Sequence, residues 1–111
     1  MIRSTVARVD LAALQANFRA IQQFIGGPSG SPATGVIAVV KANAYGHGSE
    51  RVALALEQAG ARMVACADIE EGIVLRRAGV RVPILVFGAL SVSDLGGLFD
   101  YSLTPTISTP S

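Results

Sequence analysis

The chain has 111 residues, of which half are hydrophobic and 15% charged, enough apolar material for one packed core and too few charges for a disordered chain. Nine basic residues stand against eight acidic ones, giving a net charge of +1 with no basic run, which argues against nucleic acid or an anionic membrane as a partner. The single cysteine, Cys66, excludes an internal disulfide framework, fits a reducing compartment and reads as a small core residue.

The opening "MIRSTVARVD" lacks the apolar core of a signal peptide, and no apolar run reaches the ~18 residues of a membrane span, so a cytoplasmic chain is expected. Thr5 to Val9 alternates enough to predict a short strand, and Asp10 is a good N-cap. Leu11, Leu14, Phe18, Ile21 and Ile25 then form one stripe of an amphipathic helix. Gly26 to Gly35, "GGPSGSPATG", ends it and reads as the most flexible segment.

"VIAVV", Val36 to Val40, is apolar and β-branched without alternation, which predicts a strand covered on both faces. After a loop from Lys41 to Gly48, Ser49 is placed to cap a helix running to Gln58 or Ala59, with Val52, Leu56 and Ala59 inward and Gly60 as its stop. "RMVACA" is the next strand. Asp68 and Glu71 have the spacing of a capping box for a helix ending near Ala78, with Gly79 beyond it. Pro83 opens the strand "ILVFG". Ser91 to Asp94 is a candidate cap for a short helix broken by glycines, and "SLTPTIS" begins a further strand. The pattern is β-α repeated, compatible with an open doubly wound sheet or with the start of a (β/α)8 barrel; both bind ligands at the C-terminal ends of their strands. A closed barrel takes roughly 250 residues, so the barrel reading implies about four βα units of an incomplete one.

Lys41 ends the first of these apolar runs. A lysine is a nucleophile only when its amine is neutral, and an apolar strand that delivers it to a strand mouth suits Schiff-base chemistry; a solvated strand-end lysine is the plainer reading. The loop "KANAYGHG" adds Tyr45, whose hydroxyl can donate to a phosphate oxygen or to the amine, and glycines on both sides of His47. The sole histidine has no Cys, Asp or Glu at ligand spacing, so no metal site is expected and His47 reads as a loop-fixing residue. Asn43 reads as loop-shaping. Asp68, Glu70 and Glu71 read as capping and helix-dipole residues, and Tyr101 as a packing residue.

"AVVKANAYGHG" resembles the pyridoxal-phosphate signature of the alanine racemases. "VDLAALQANFRAI", "ALEQAGARMVACADIEEGIVLRRAGV", "PILVFGAL" and "LTPTIS" resemble successive pieces of that family's N-terminal barrel, in order, over essentially the whole chain. The resemblance implies an α/β fold, the N-terminal portion of a (β/α)8 TIM-type barrel, with residues 1–111 a partial pyridoxal-phosphate-binding domain that lacks the family's C-terminal β-domain. It implies that Lys41 holds pyridoxal 5'-phosphate as a Schiff base and acts as one of two bases, and that Tyr45 lies close to the cofactor phosphate. Phe87 stands where the family commonly has an aliphatic residue near the cofactor ring. The activity implied for the complete protein is interconversion of L-alanine and D-alanine through a Cα carbanion, supplying D-alanine for the cell wall, in a cytoplasmic homodimer; the 111 residues alone are expected to be inactive. The competing readings are a non-catalytic pyridoxal-phosphate-binding barrel and a racemase for another small amino acid such as serine.

Overall fold

The structure, a computed structural model, describes residues 5–26, 34–88 and 95–107. Its frame is a four-stranded parallel sheet of β1 (Ile37–Val39), β2 (Met63–Cys66), β3 (Ile84–Val86) and β4 (Thr104–Pro105), in the order β1-β2-β3-β4. Helix α1 (Leu11–Gly26) precedes the sheet. A single turn, α2 (Lys41–Tyr45), and α3 (Ser49–Gln58) cross from β1 to β2, α4 (Ile69–Ala78) crosses from β2 to β3, and α5 (Leu95–Asp100) crosses from β3 to β4. Each strand pairs with its neighbour in sequence, with Ala38 beside Val64 and Val64 beside Ile84. A doubly wound sheet reverses its strand order at a switch point; this one does not. The order is that of part of a (β/α)8 barrel.

Local chemistry explains most element ends. Asp10 accepts the backbone N–H of Ala13 through Oδ1 at 3.0 Å, which caps α1. Asp68 accepts that of Glu71 at 2.8 Å and caps α4, and Gly79 closes that helix at φ 106°, a conformation that a Cβ disfavours. Glu57 reaches from α3 to the entry of β3, where one carboxylate oxygen accepts the N–H groups of Arg81 and Val82 at 2.7 and 2.8 Å. The core lies between the helices and one face of the sheet. Val64, Cys66, Ile84 and Val86 are fully buried there, with Phe18, Val52, Leu56 and Leu75 packed over them from the helices.

Three expectations need correction. Residues 5–9 form no strand: they are exposed and pair with none of the described strands, and an alternating pattern without a partner edge has no ladder to join. The strand β1 is covered on one face only. Ala38 is buried, but Ile37 and Val39 on the other face are 50% and 36% exposed, because the packed core lies on the Ala38 side. Third, the apolar stripe of α1 is used only in its first half. Phe18 is buried and Leu11 and Leu14 pack against the core, whereas Ile21 and Ile25 stay exposed. The segment 27–33 and the cap expected at Ser91 to Asp94 lie outside the described residues. Among the described residues, no helix is long and apolar enough to cross a membrane.

Candidate active site

Lys41 is the only lysine in the chain. Lys41 stands one residue beyond β1, after Val40, at the C-terminal end of the strand, and is exposed. Its amine is therefore solvent-accessible, on a strand whose Ile37 and Val39 are exposed as well.

The backbone beyond Lys41 is unusual. Ala42, Asn43, Ala44 and Tyr45 have φ of 51°, 56°, 55° and 55°, a full turn of left-handed helix without a glycine. Each such residue costs about 1–2 kcal/mol, because its Cβ crowds the following carbonyl. Four in succession amount to a large share of the ~5–15 kcal/mol by which a domain is stable, so the surroundings must hold the turn in place.

Much of that restraint is local. The N–H of Ala44 donates to Val40 O, those of Gly46 and Gly48 to Asn43 O, and that of His47 to Ala44 O, at 2.9–3.1 Å. Gly46 and Gly48 continue at φ 88° and 93°, where glycine carries no penalty. The ring of His47 donates from Nδ1 to Ala44 O at 3.0 Å, which requires the proton on Nδ1 and matches the loop-fixing role read from the sequence. Buried Ala44 anchors the turn in the core. Ser49 does not cap α3; it is the first residue of the helix, and its N–H donates to Oδ1 of Asn43 at 2.9 Å. The cap comes from inside the turn.

Two further contacts tie this segment to the second strand. Val40 N–H donates to Ala65 O at 2.8 Å. Glu71, on α4, accepts the N–H of Ala42 through Oε2 at 2.9 Å and that of Ala67 through Oε1. The sequence reading gave Glu71 a capping role. Its backbone N–H does receive the Asp68 cap, but its carboxylate does not return to Asp68 as a capping box requires. It bridges the residue after Lys41 and the residue after β2. The signal that would have revealed this is topological: both residues leave neighbouring parallel strands at the same end.

Tyr45, at the far end of the left-handed turn, is 60% exposed. It borders a cavity of about 430 Å³ between α1, the end of β1 and the turn, whose other lining residues include Arg8, Asp10, Asn17, Val39 and His47. Lys41 does not line that cavity. Phe87 lies just past β3, 44% exposed, with its N–H on Cys66 O at 2.9 Å. Cys66 is fully buried at the end of β2. Burial, with the nearby carboxylates of Glu71 and Asp68, pushes its thiol from 9.0 up to about 12, so it is an inert core residue. Tyr101 packs at the core margin and its hydroxyl accepts from Nη2 of Arg77 at 3.1 Å, a structural role as expected. Among the described residues, no group of three or more His, Cys, Asp and Glu side chains is placed to hold a metal ion.

The arrangement offers an accessible primary amine at a parallel strand's C-terminal end, on a tightly fixed backbone, with a phenolic hydroxyl one left-handed turn away. Comparison with known proteins gives this arrangement its family. An alanine racemase from Synechocystis is 43% identical over 112 residues, covering 99% of this chain and 29% of the relative. The crystal structure of alanine racemase from E. faecalis superposes with a TM-score of 0.81 at 37% identity, over 91% of this chain and 26% of that one. That of Bartonella henselae, described with covalently bound pyridoxal phosphate, gives 0.75 at 34% identity, over 87% of this chain and 27% of that one. The chain thus spans somewhat over a quarter of the length of each of these proteins. The profile of the family "Alanine racemase, N-terminal domain" matches residues 9–111, and the chain belongs to that family.

Proposed function

We propose that the protein carrying this chain is a pyridoxal-phosphate-dependent alanine racemase, and that these residues supply the cofactor-holding lysine and part of the cofactor cradle in its barrel domain. The observation that carries the reading is the position of Lys41: the chain's one primary amine side chain stands at a parallel strand's C-terminal end, in a chain of this family.

The donor set fits the cofactor. An aldehyde needs a primary amine to condense with, and the exposed Lys41 offers one; a phosphate needs donors, and the hydroxyl of Tyr45 is accessible at the end of the turn. When bound, pyridoxal phosphate supplies an electron sink that makes the Cα proton of an amino acid removable. Lys41 would be the base beside that carbon on one face, its Nζ taking the proton or returning it. Inversion needs a second acid–base group on the opposite face, which we assign to another part of the full protein, in a homodimer with shared active sites. Alanine is the substrate and D-alanine for the cell wall the product put to use. The cytoplasm is the compartment consistent with a buried free thiol.

Assay of the full protein with L-alanine, D-alanine and serine, beside its Lys41→Ala variant, tests the reading. Racemisation of alanine that the variant loses supports it. A protein that binds the cofactor without turnover is a binding barrel, and preference for serine reassigns the substrate.

A further inference from the structure

Racemisation asks one amine to reach an aldehyde and then a Cα proton, so its backbone must not wander. Hydrogen bonds on both sides of Lys41 fix it. On the N-terminal side, Val40 N–H is bound to Ala65 O. On the C-terminal side, Ala42 N–H is bound to Glu71 Oε2. The residues flanking the lysine are thus bonded to groups outside the turn, one to the β2 backbone and one to a side chain of α4.

The second bond carries more than its own strength. Ala42 is the first left-handed residue of the turn, at φ 51°. Its N–H is the point where the strained segment departs from the strand. The other side-chain bond from the turn's Asn43 looks forward, to Ser49, and stays within the β1–α3 connection. Glu71 is anchored independently: its own N–H is held by Asp68, and its second oxygen accepts Ala67 N–H at the mouth of β2. One carboxylate with both oxygens committed is a two-point clamp between the mouths of β1 and β2. An ionised carboxylate is the side chain suited to it, because it accepts on both oxygens and donates on neither.

We propose that Glu71 is a positioning residue for Lys41, holding the left-handed turn so that the amine stays registered against the end of β2. The proposal rests on the reading of Lys41 as the cofactor lysine. Glu71 acts through the backbone of the turn and not on substrate or cofactor.

The test uses the full protein, cofactor-free and cofactor-loaded, with Glu71→Gln and Glu71→Ala. Glutamine has the same shape but one acceptor oxygen, so it keeps one of the two bonds and turns an NH2 toward the other. Two readouts are taken at a temperature where all variants are folded: amide hydrogen exchange of the peptide covering residues 41–48 in the cofactor-free protein, and the yield of pyridoxyl-Lys41 after borohydride reduction at subsaturating pyridoxal phosphate. Loss of a hydrogen bond to a charged acceptor corresponds to a factor of about ten or more. Glu71→Ala is therefore expected to speed exchange in 41–48 by about tenfold and to lower the trapping yield comparably, with Glu71→Gln intermediate and exchange in α1 unchanged. Unchanged exchange and yield in both variants overturn the proposal, and so does an acceleration spread evenly over the chain, which marks a purely structural role. If Glu71→Ala does not fold, Glu71→Gln decides on the same criteria. If the wild-type protein forms no adduct at Lys41, the functional reading fails on its own, and the local exchange comparison still decides whether Glu71 anchors the turn.

Discussion

Oδ1 of Asn43 accepts the backbone N–H of Ser49 at 2.9 Å, so a residue inside the left-handed turn caps the next helix, α3. Asn43→Ala removes the cap and also places a residue with no local side-chain hydrogen bonding at φ 56°. The expected loss is about 1–2 kcal/mol in urea unfolding, whereas Asn43→Asp, which keeps the acceptor and tolerates the left-handed region, is expected to lose under about 0.5 kcal/mol. Equal losses for the two variants would mean that the cap does not stabilise α3.

Gly88 and Gly96 predict opposite outcomes for one substitution. A Cβ at Gly88 would stand 2.4 Å from Ala67 O, a backbone atom that cannot move aside without breaking its bond to Gly88 N–H. A Cβ at Gly96, within α5, meets nothing within 4 Å. Gly88→Ala is expected to destabilise by about 3 kcal/mol or more, and Gly96→Ala to stabilise by about 0.5–1 kcal/mol. Thermal melts of the two proteins side by side check the sign of each.

Arg76 joins two stretches of backbone with one guanidinium: Nε donates to Tyr101 O, Nη1 to Val80 O and Val82 O, and Nη2 to Ser102 O, at 2.8–3.2 Å. A lysine has one nitrogen at the end of a flexible stem and cannot reproduce that planar fork. Arg76→Lys is expected to cost about 2 kcal/mol through carbonyls left without donors. A midpoint in urea equal to wild type would show that the fork contributes nothing.

Cys66 ties stability to alkaline pH. Its folded value is about 12 against an ordinary 9.0, raised chiefly by burial. The folded state therefore keeps a proton that the unfolded state loses, and stability declines as pH rises from about 9 toward 12, with no contribution from this group below that window. Cys66→Ala is expected to flatten the decline in melting temperature across that range. A thiol reagent at neutral pH is expected to react with wild type only as fast as the protein opens; immediate labelling of the folded protein would contradict the burial.

The sequence carried the βα order because its punctuation is local. Asp10, Asp68, Gly60 and Gly79 act within three or four residues of themselves, and helices α1, α3 and α4 begin or end where those residues put them. The lysine's place at the end of β1 was legible in the same way. Contacts across the fold were not. Glu71 and Ala42 are 29 residues apart, and their meeting depends on β1 and β2 being neighbours in register, which no spacing rule within one segment contains. The cap at Ser49 went to Asn43 because the left-handed turn brings the two together, and nothing in the composition of "KANAYGHG" forces Ala42 and Ala44 to positive φ. Apolar composition alone likewise failed to reveal that β1 is covered on one face, since an apolar run is the same whether its second face meets helices or the inside of a barrel.

The central claim is that the amine of Lys41 is the group that holds pyridoxal phosphate. Incubating the full protein with the cofactor, reducing with borohydride and mapping the peptides by mass spectrometry tests it directly. Since residues 1–111 contain a single lysine, a pyridoxyl-lysine within them can only be residue 41. The account predicts a stable adduct on Lys41, absent from Lys41→Ala. An adduct on a lysine outside these residues, with Lys41 unmodified, would contradict it.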